Sequence, residues 1–142
     1  MTMKREGRAQ WRGYLKSGKG TVSTGSGALD GNPYGFNTRF ENEPGTNPEE
    51  LIGAALASCY AMALALNISQ ADYAAEDIRV KAVVSLVKTD DGFSINGIRL
   101  EVQAKVPEID PAKFQELARA TKEGCPVSNA LSVDIQLDAL LL

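Results

Sequence analysis

Cys59 in "LIGAALASCYAMAL" and Cys125 in "EGCPVSNAL" are the only two thiols of the chain, 66 positions apart. A thiolate is a strong nucleophile, and two thiols brought together can pass reversibly to a disulfide. The chain has no histidine. That removes Ser-His-Asp and Cys-His nucleophile pairs, and the commonest transition-metal ligand with them. Two cysteines without histidine cannot complete a zinc site of the usual kinds. Activating and acid–base work therefore falls to Cys, Arg, Lys, Asp, Glu or Tyr.

The two thiols sit in different chemical settings. Cys59 lies in the middle of an apolar helix-forming stretch, too far from either end for the helix dipole to act on it. Apolar burial raises a thiol pKa, so Cys59 reacts only with a cation beside it, and the permanent charge of arginine suits that role. Otherwise it is an inert core thiol, the usual fate of a buried cysteine. Cys125 falls between Gly124 and Pro126, at the expected start of a helix whose backbone N–H groups favour a thiolate. The plain alternative is a cap residue before a proline. On these grounds Cys125 is the better attacking thiol, although it could equally resolve an oxidised Cys59.

Arg39 in "FNTRFE" and Glu49 in "NPEE" supply a cation and an anion. Read plainly, they are a solvated loop arginine and an acidic first helical turn. Glu49 precedes Cys59 by ten residues, which puts it about 15 Å along the helix and roughly 80° around it. A carboxylate cannot span that gap. It would have to act through an arginine, or come from an antiparallel copy of the helix in a partner subunit.

At 142 residues the chain is expected to form one domain, residues 1–142, with a single hydrophobic core. Apolar residues make up 44% of it and the net charge is −3. With no basic stripe, nucleic acid is not an expected partner. The longest apolar run, Leu51 to Leu66, is alanine-rich and broken by small and polar residues, which suggests a core helix rather than a membrane span. The N-terminal "MTMKREGRAQW" has basic residues with no apolar segment behind them, so no signal peptide is expected and the compartment is taken as the reducing cytoplasm. Two thiols there suggest a catalytic or redox-sensing pair rather than a structural bridge.

Several elements must position these residues. Ala9–Leu15 and Gly20–Thr24 suggest a β-hairpin around "KSGKG". "GYLKSGKG" resembles most of a phosphate-binding loop but lacks the Ser/Thr and the following helix that phosphate binding requires, so it is assigned as a turn. Thr24–Thr46 is loop-rich, with five glycines and two prolines in 23 residues, and a segment of that kind is usually functional or partner-bound. A short strand is expected around Phe36–Phe40. Asn47, Pro48 and Glu50 carry the signature of a helix start. The helix body is apolar all round, which predicts burial on every face, most easily achieved with a second subunit. Ile78–Thr89 and Phe93–Val106 form an antiparallel hairpin. Asp110 and Pro111 open a helix that Gly124 stops, a short helix follows from Cys125-Pro126 to Leu131, and "VDIQLDALL" closes as a strand. The fold class is α+β, an antiparallel sheet with a central buried helix.

Together, "PYGFNTRFE", "NPEELIGAALASCYAMAL" and "GCPVSNAL" resemble the OsmC/Ohr family, and its OsmC branch most closely. The resemblance extends over nearly the whole chain, including "GRAQWRGYLKSGKGTVST". It implies an OsmC-like fold in an intertwined homodimer. It also implies a thiol-dependent peroxidase that reduces organic hydroperoxides to alcohols, and hydrogen peroxide less well, in oxidative and osmotic stress defence. By position, Cys59 resembles the peroxidatic cysteine and Cys125 the resolving one, which reverses the preference drawn from composition alone. Arg39 matches the arginine of the OsmC branch and Glu49 the glutamate that pairs with it. No bound cofactor is implied; the reductant is an external dithiol, of a lipoyl or other small type. Alternatives from other classes are a non-catalytic cysteine-pair redox sensor or ligand-binding dimer, and a structural dimer with inert thiols.

Overall fold

The computed structural model describes all residues, 1–142, and divides into two compact units, Met1–Leu51 and Ile52–Leu142. The first holds a three-stranded antiparallel sheet of β1 (Gly7–Arg12), β2 (Lys19–Thr24) and β3 (Asn32–Tyr34), in that order. The expected hairpin is present, with Arg12 opposite Lys19 and Gly7 opposite Thr24. Residues 13–18 turn between its strands, closed by Gly18 N–H donating to Tyr14 O at 2.7 Å. Gly20 on β2 is glycine for want of room, because a Cβ there would run into the rings of Trp11 and Tyr34. Those rings close over it with centroids 5.7 Å apart.

The strand expected at Phe36–Phe40 is instead a short helix, α1 (Phe36–Phe40), and the strand of this region lies just before it, at β3. The aromatic residues favour a strand, but the Thr38 hydroxyl overrides them. It accepts from Gly35 N–H at 2.8 Å and donates to Gly35 O at 3.1 Å, and Arg39 N–H also returns to Gly35 O at 3.1 Å. A short side chain that bonds its own local backbone offers the chain an alternative to a sheet ladder.

Helix α2 (Pro48–Gln70) starts as the sequence predicts. Asn47 Oδ1 accepts from Glu50 N–H at 2.8 Å, Asn47 Nδ2 donates to Glu50 Oε1 at 3.0 Å, and Pro48 takes the first helical position. By length and composition this helix could cross a membrane, a test that the core helix of a water-soluble protein also passes. Within the chain it is buried along one stripe only, Gly53, Leu56, Tyr60, Leu64 and Ile68, spaced three or four apart. Ala55, Ser58, Met62 and Leu66 form an exposed stripe, with Met62 78% and Leu66 56% exposed. Burial on every face is therefore not reached by the chain alone.

The second unit packs α2 on a sheet of β4 (Asp77–Thr89), β5 (Gly92–Lys105) and β6 (Ile135–Leu141), in that order. The β4–β5 hairpin is antiparallel, with a register irregularity at Ser85/Leu86. Alternate residues of β5, Ile98, Leu100, Val102 and Ala104, face the core with Leu56, Tyr60, Leu64 and Ile68. Gly53 lets the helix come close, since a Cβ there would stand 3.2 Å from Ala82 O on β4.

Strand β6 pairs with β5 in parallel, so this sheet is mixed rather than wholly antiparallel. The connection between them holds α3 (Pro111–Gly124) and α4 (Pro126–Ala130), and it is a helical crossover of the length that parallel pairing requires. Asp110 caps α3, accepting from Lys113 N–H at 3.2 Å. The helix ends at Gly124 as expected, although this glycine does not take the left-handed conformation of a glycine stop. Cys125 is its C-cap, in an extended conformation at φ −65°, ψ 122°, and is at once the N-cap of α4. The cause is Pro126, which excludes helical geometry from the residue before it.

Candidate active site

Both cysteines are free, Cys59 partly buried on α2 and Cys125 fully buried between α3 and α4. The fold closes their 66-residue separation to a direct contact, in which the Cys125 thiol donates to Cys59 Sγ at 3.2 Å. A disulfide has its sulfurs about 2 Å apart, so the thiols are one short approach from a bond. A reagent arriving from solvent meets Cys59 first.

Burial, above all, and the neighbouring Cys59 push the Cys125 thiol above its ordinary range. The Ser128 and Val127 amides of α4 pull the other way without reversing the shift. The helix start therefore fails to activate Cys125 as its sequence position alone suggests, because desolvation is the larger effect. A protonated, enclosed thiol is poorly suited to attack.

The cation and the anion are likewise brought together, within the first unit. Arg39 on α1 grips Glu49, in the first turn of α2, through Nε at 3.0 and 3.3 Å from the two carboxylate oxygens and Nη2 at 2.7 Å from Oε1. Glu49 is buried, and the fork fixes the plane of the guanidinium. The same chain supplies both partners of this pair.

Around Arg39 stand Trp11, Leu15, Tyr34, Phe36 and Phe40, lining a cavity of about 280 Å³. This aromatic wall was not singled out from the sequence. Its aromatic members come from β1, β3 and α1, with Leu15 from the turn after β1, and the one available signal was the gathering of Tyr34, Phe36 and Phe40 around Arg39 in the loop-rich stretch. Elsewhere, Tyr60 donates from its hydroxyl to Ala118 O at 2.9 Å, and Asn67 Nδ2 donates to Thr121 Oγ1 at 2.8 Å. No group of three or more His, Cys, Asp or Glu side chains is gathered in a way that could hold a metal ion.

Residues 40–138 match the family described as OsmC-like protein. The chain is 52% identical over 138 residues to Peroxiredoxin OsmC of Escherichia coli, covering 97% of this chain and 96% of that one. It is 36% identical over 123 residues to Organic hydroperoxide resistance protein OhrB of Bacillus subtilis, covering 84% and 88%. Among solved structures, an OsmC-like protein of unknown function from Vibrio cholerae superposes with a TM-score of 0.79 at 17% identity, over 98% of this chain and all of that one, a likeness of fold. With both coverage and identity this high, the chain belongs to the OsmC-like protein family.

Proposed function

We propose that the protein is a thiol-dependent peroxidase that reduces organic hydroperoxides, and hydrogen peroxide less well, in oxidative and osmotic stress defence. Its similarity to Peroxiredoxin OsmC and to an organic hydroperoxide resistance protein supports the reading. The single structural observation that carries it is the pair of free thiols 3.2 Å apart, one reachable and one enclosed.

In this mechanism Cys59 is the attacking thiolate. It attacks the terminal peroxide oxygen, the O–O bond breaks, and the other oxygen leaves as an alkoxide that takes a proton from solvent to become the alcohol. Cys59 becomes a sulfenic acid. Cys125 then attacks that sulfur, its thiol proton joins the departing hydroxyl as water, and a Cys59–Cys125 disulfide remains. Arg39 stabilises the thiolate and orients the peroxide, and Glu49 holds the guanidinium in the required plane. An external dithiol, of lipoyl or similar small type, takes up the disulfide and restores both thiols, so no bound cofactor is needed.

The working form is a homodimer of intertwined chains in the cytoplasm. The exposed stripe of α2 supports the dimer, because Ala55, Met62 and Leu66 leave an apolar face in water that a second copy would cover. Light scattering should give twice the 15.2 kDa of the chain, and Met62→Asp should shift the population towards monomer. A monomeric wild type would end the dimer reading.

The deciding experiment counts free thiols after one equivalent of cumene hydroperoxide, in wild type and in Cys125→Ser, and then adds dihydrolipoamide. The wild type should lose both thiols, the variant should hold a trappable sulfenic acid, and the wild type should turn over repeatedly once the dithiol is present. A disulfide that forms but does not cycle would reduce the protein to a redox switch. Thiols that survive the peroxide would leave them as core packing.

A further inference from the structure

The seven-residue spacing of Tyr60 and Asn67 places them two turns apart on one face of α2. On α3, the buried Ala118 and Thr121 lie on the stripe that runs on to Cys125. Two side-chain hydrogen bonds join these faces. The Tyr60 hydroxyl donates to Ala118 O at 2.9 Å, and Asn67 Nδ2 donates to Thr121 Oγ1 at 2.8 Å. Thr121 passes the restraint onward in both directions. Its hydroxyl donates to Leu117 O at 2.7 Å, and its carbonyl accepts from the Cys125 N–H at 2.9 Å. The restraint thus begins on the residue next to Cys59 and ends on the backbone of Cys125.

We infer that Tyr60 and Asn67 are positioning residues for the resolving step, a clamp that fixes the end of α3 against α2 and so keeps the Cys125 sulfur in line with Cys59. The inference rests on the peroxidase reading above. Apolar packing holds two helices together but leaves them free to slide by fractions of an ångström, whereas a directional bond to a backbone carbonyl sets one register. Tyr60 is fully buried, and burial, with a smaller contribution from Cys125, pushes its phenol well above its usual range. It therefore remains a hydroxyl donor at any pH the enzyme meets. Resolution competes with a second peroxide, which would take the Cys59 sulfenate to an irreversible sulfinate and release another molecule of alcohol. A clamp that speeds disulfide closure protects the enzyme from its own substrate.

The test uses reduced full-length wild type, Tyr60→Phe and Asn67→Ala, each treated with excess cumene hydroperoxide without added dithiol. Intact mass after thiol alkylation gives the ratio of sulfinic acid to disulfide. That ratio should rise roughly two- to tenfold in either variant, the range set by loss of one hydrogen bond. A merely structural role would lower the unfolding temperature and leave the ratio at its wild-type value, which would overturn the inference. Tyr60→Phe keeps the ring and Asn67→Ala removes only a partly buried side chain, so if one variant fails to fold the other decides. A wild type that forms neither product sinks the peroxidase reading itself, a result separable from a wild type that cycles beside unchanged variants.

Discussion

Cys59→Ser should abolish peroxide consumption, lowering the rate at saturating dithiol by ~10³-fold or more, as loss of the attacking atom does in enzymes of covalent mechanism. The result is informative because a second thiol remains in the variant. Were Cys125 the nucleophile, as its place at a helix start suggests, Cys59→Ser would still consume one equivalent of peroxide. The structure gives three reasons why it should not. Cys125 is completely enclosed, its thiol is raised rather than lowered in pKa, and its sulfur lies against Cys59 Sγ at 3.2 Å. A hydroxyl at position 59 leaves that enclosed thiol with no sulfenic partner, so it should stay titratable after peroxide treatment. Loss of the Cys125 thiol in Cys59→Ser at the wild-type rate would exchange the two roles.

Arg39→Ala should come next in size, a fall of roughly 10²–10³-fold in the rate of peroxide reduction, the usual effect of deleting one preorganised charge at developing negative charge. Arg39→Lys should recover part of it, since the ammonium keeps the charge but cannot make the fork that Glu49 accepts. Stability complicates the comparison. Arg39→Ala leaves the buried Glu49 carboxylate without its partner, which should cost about 1–3 kcal/mol of folding stability. Adding Glu49→Gln to Arg39→Ala removes the stranded charge, so thermal stability should return while activity does not. Recovery of activity together with stability would mean that the arginine is a structural partner of Glu49 and nothing more. Stopped-flow reduction of cumene hydroperoxide beside thermal unfolding of the wild type and all three variants separates the two.

Where sequence reading succeeded, the information was local. The start of α2 follows from Asn47, Pro48 and Glu50, the β4–β5 hairpin from alternation around "DDG", and the cap of α3 from Asp110 before Pro111. Where it failed, a neighbouring or distant group decided. One Thr38 hydroxyl turned an aromatic strand candidate into α1, and α3 ends at Gly124 as expected but through Pro126 rather than a left-handed glycine. The parallel direction of β6 depends on which strand it meets after a crossover, which no window of its own residues contains. At the site, the thiols were legible because the chain has only two cysteines and no histidine, whereas Arg39 was singled out among fifteen lysines and arginines by the family resemblance alone. The contact between Cys59 and Cys125 followed from the family resemblance alone, since nothing in either flank fixes a distance across 66 residues. The aromatic wall was missed for a related reason, because Trp11 reaches it from another strand.

The enclosure of Cys125 also gives the return half of the cycle a direction. In the proposed cycle an incoming dithiol should reach the partly exposed Cys59 before the enclosed Cys125, so the mixed disulfide is expected on Cys59 with Cys125 as the group expelled. Exchange is faster when the departing sulfur is the more acidic one, and here it is a thiol that its surroundings make less acidic. The same pocket that keeps Cys125 quiet during attack thus makes it a reluctant leaving group. On the proposed cycle, regeneration is therefore expected to be slower than a more acidic leaving thiol would allow, which turnover measured at varied dithiol concentration would show.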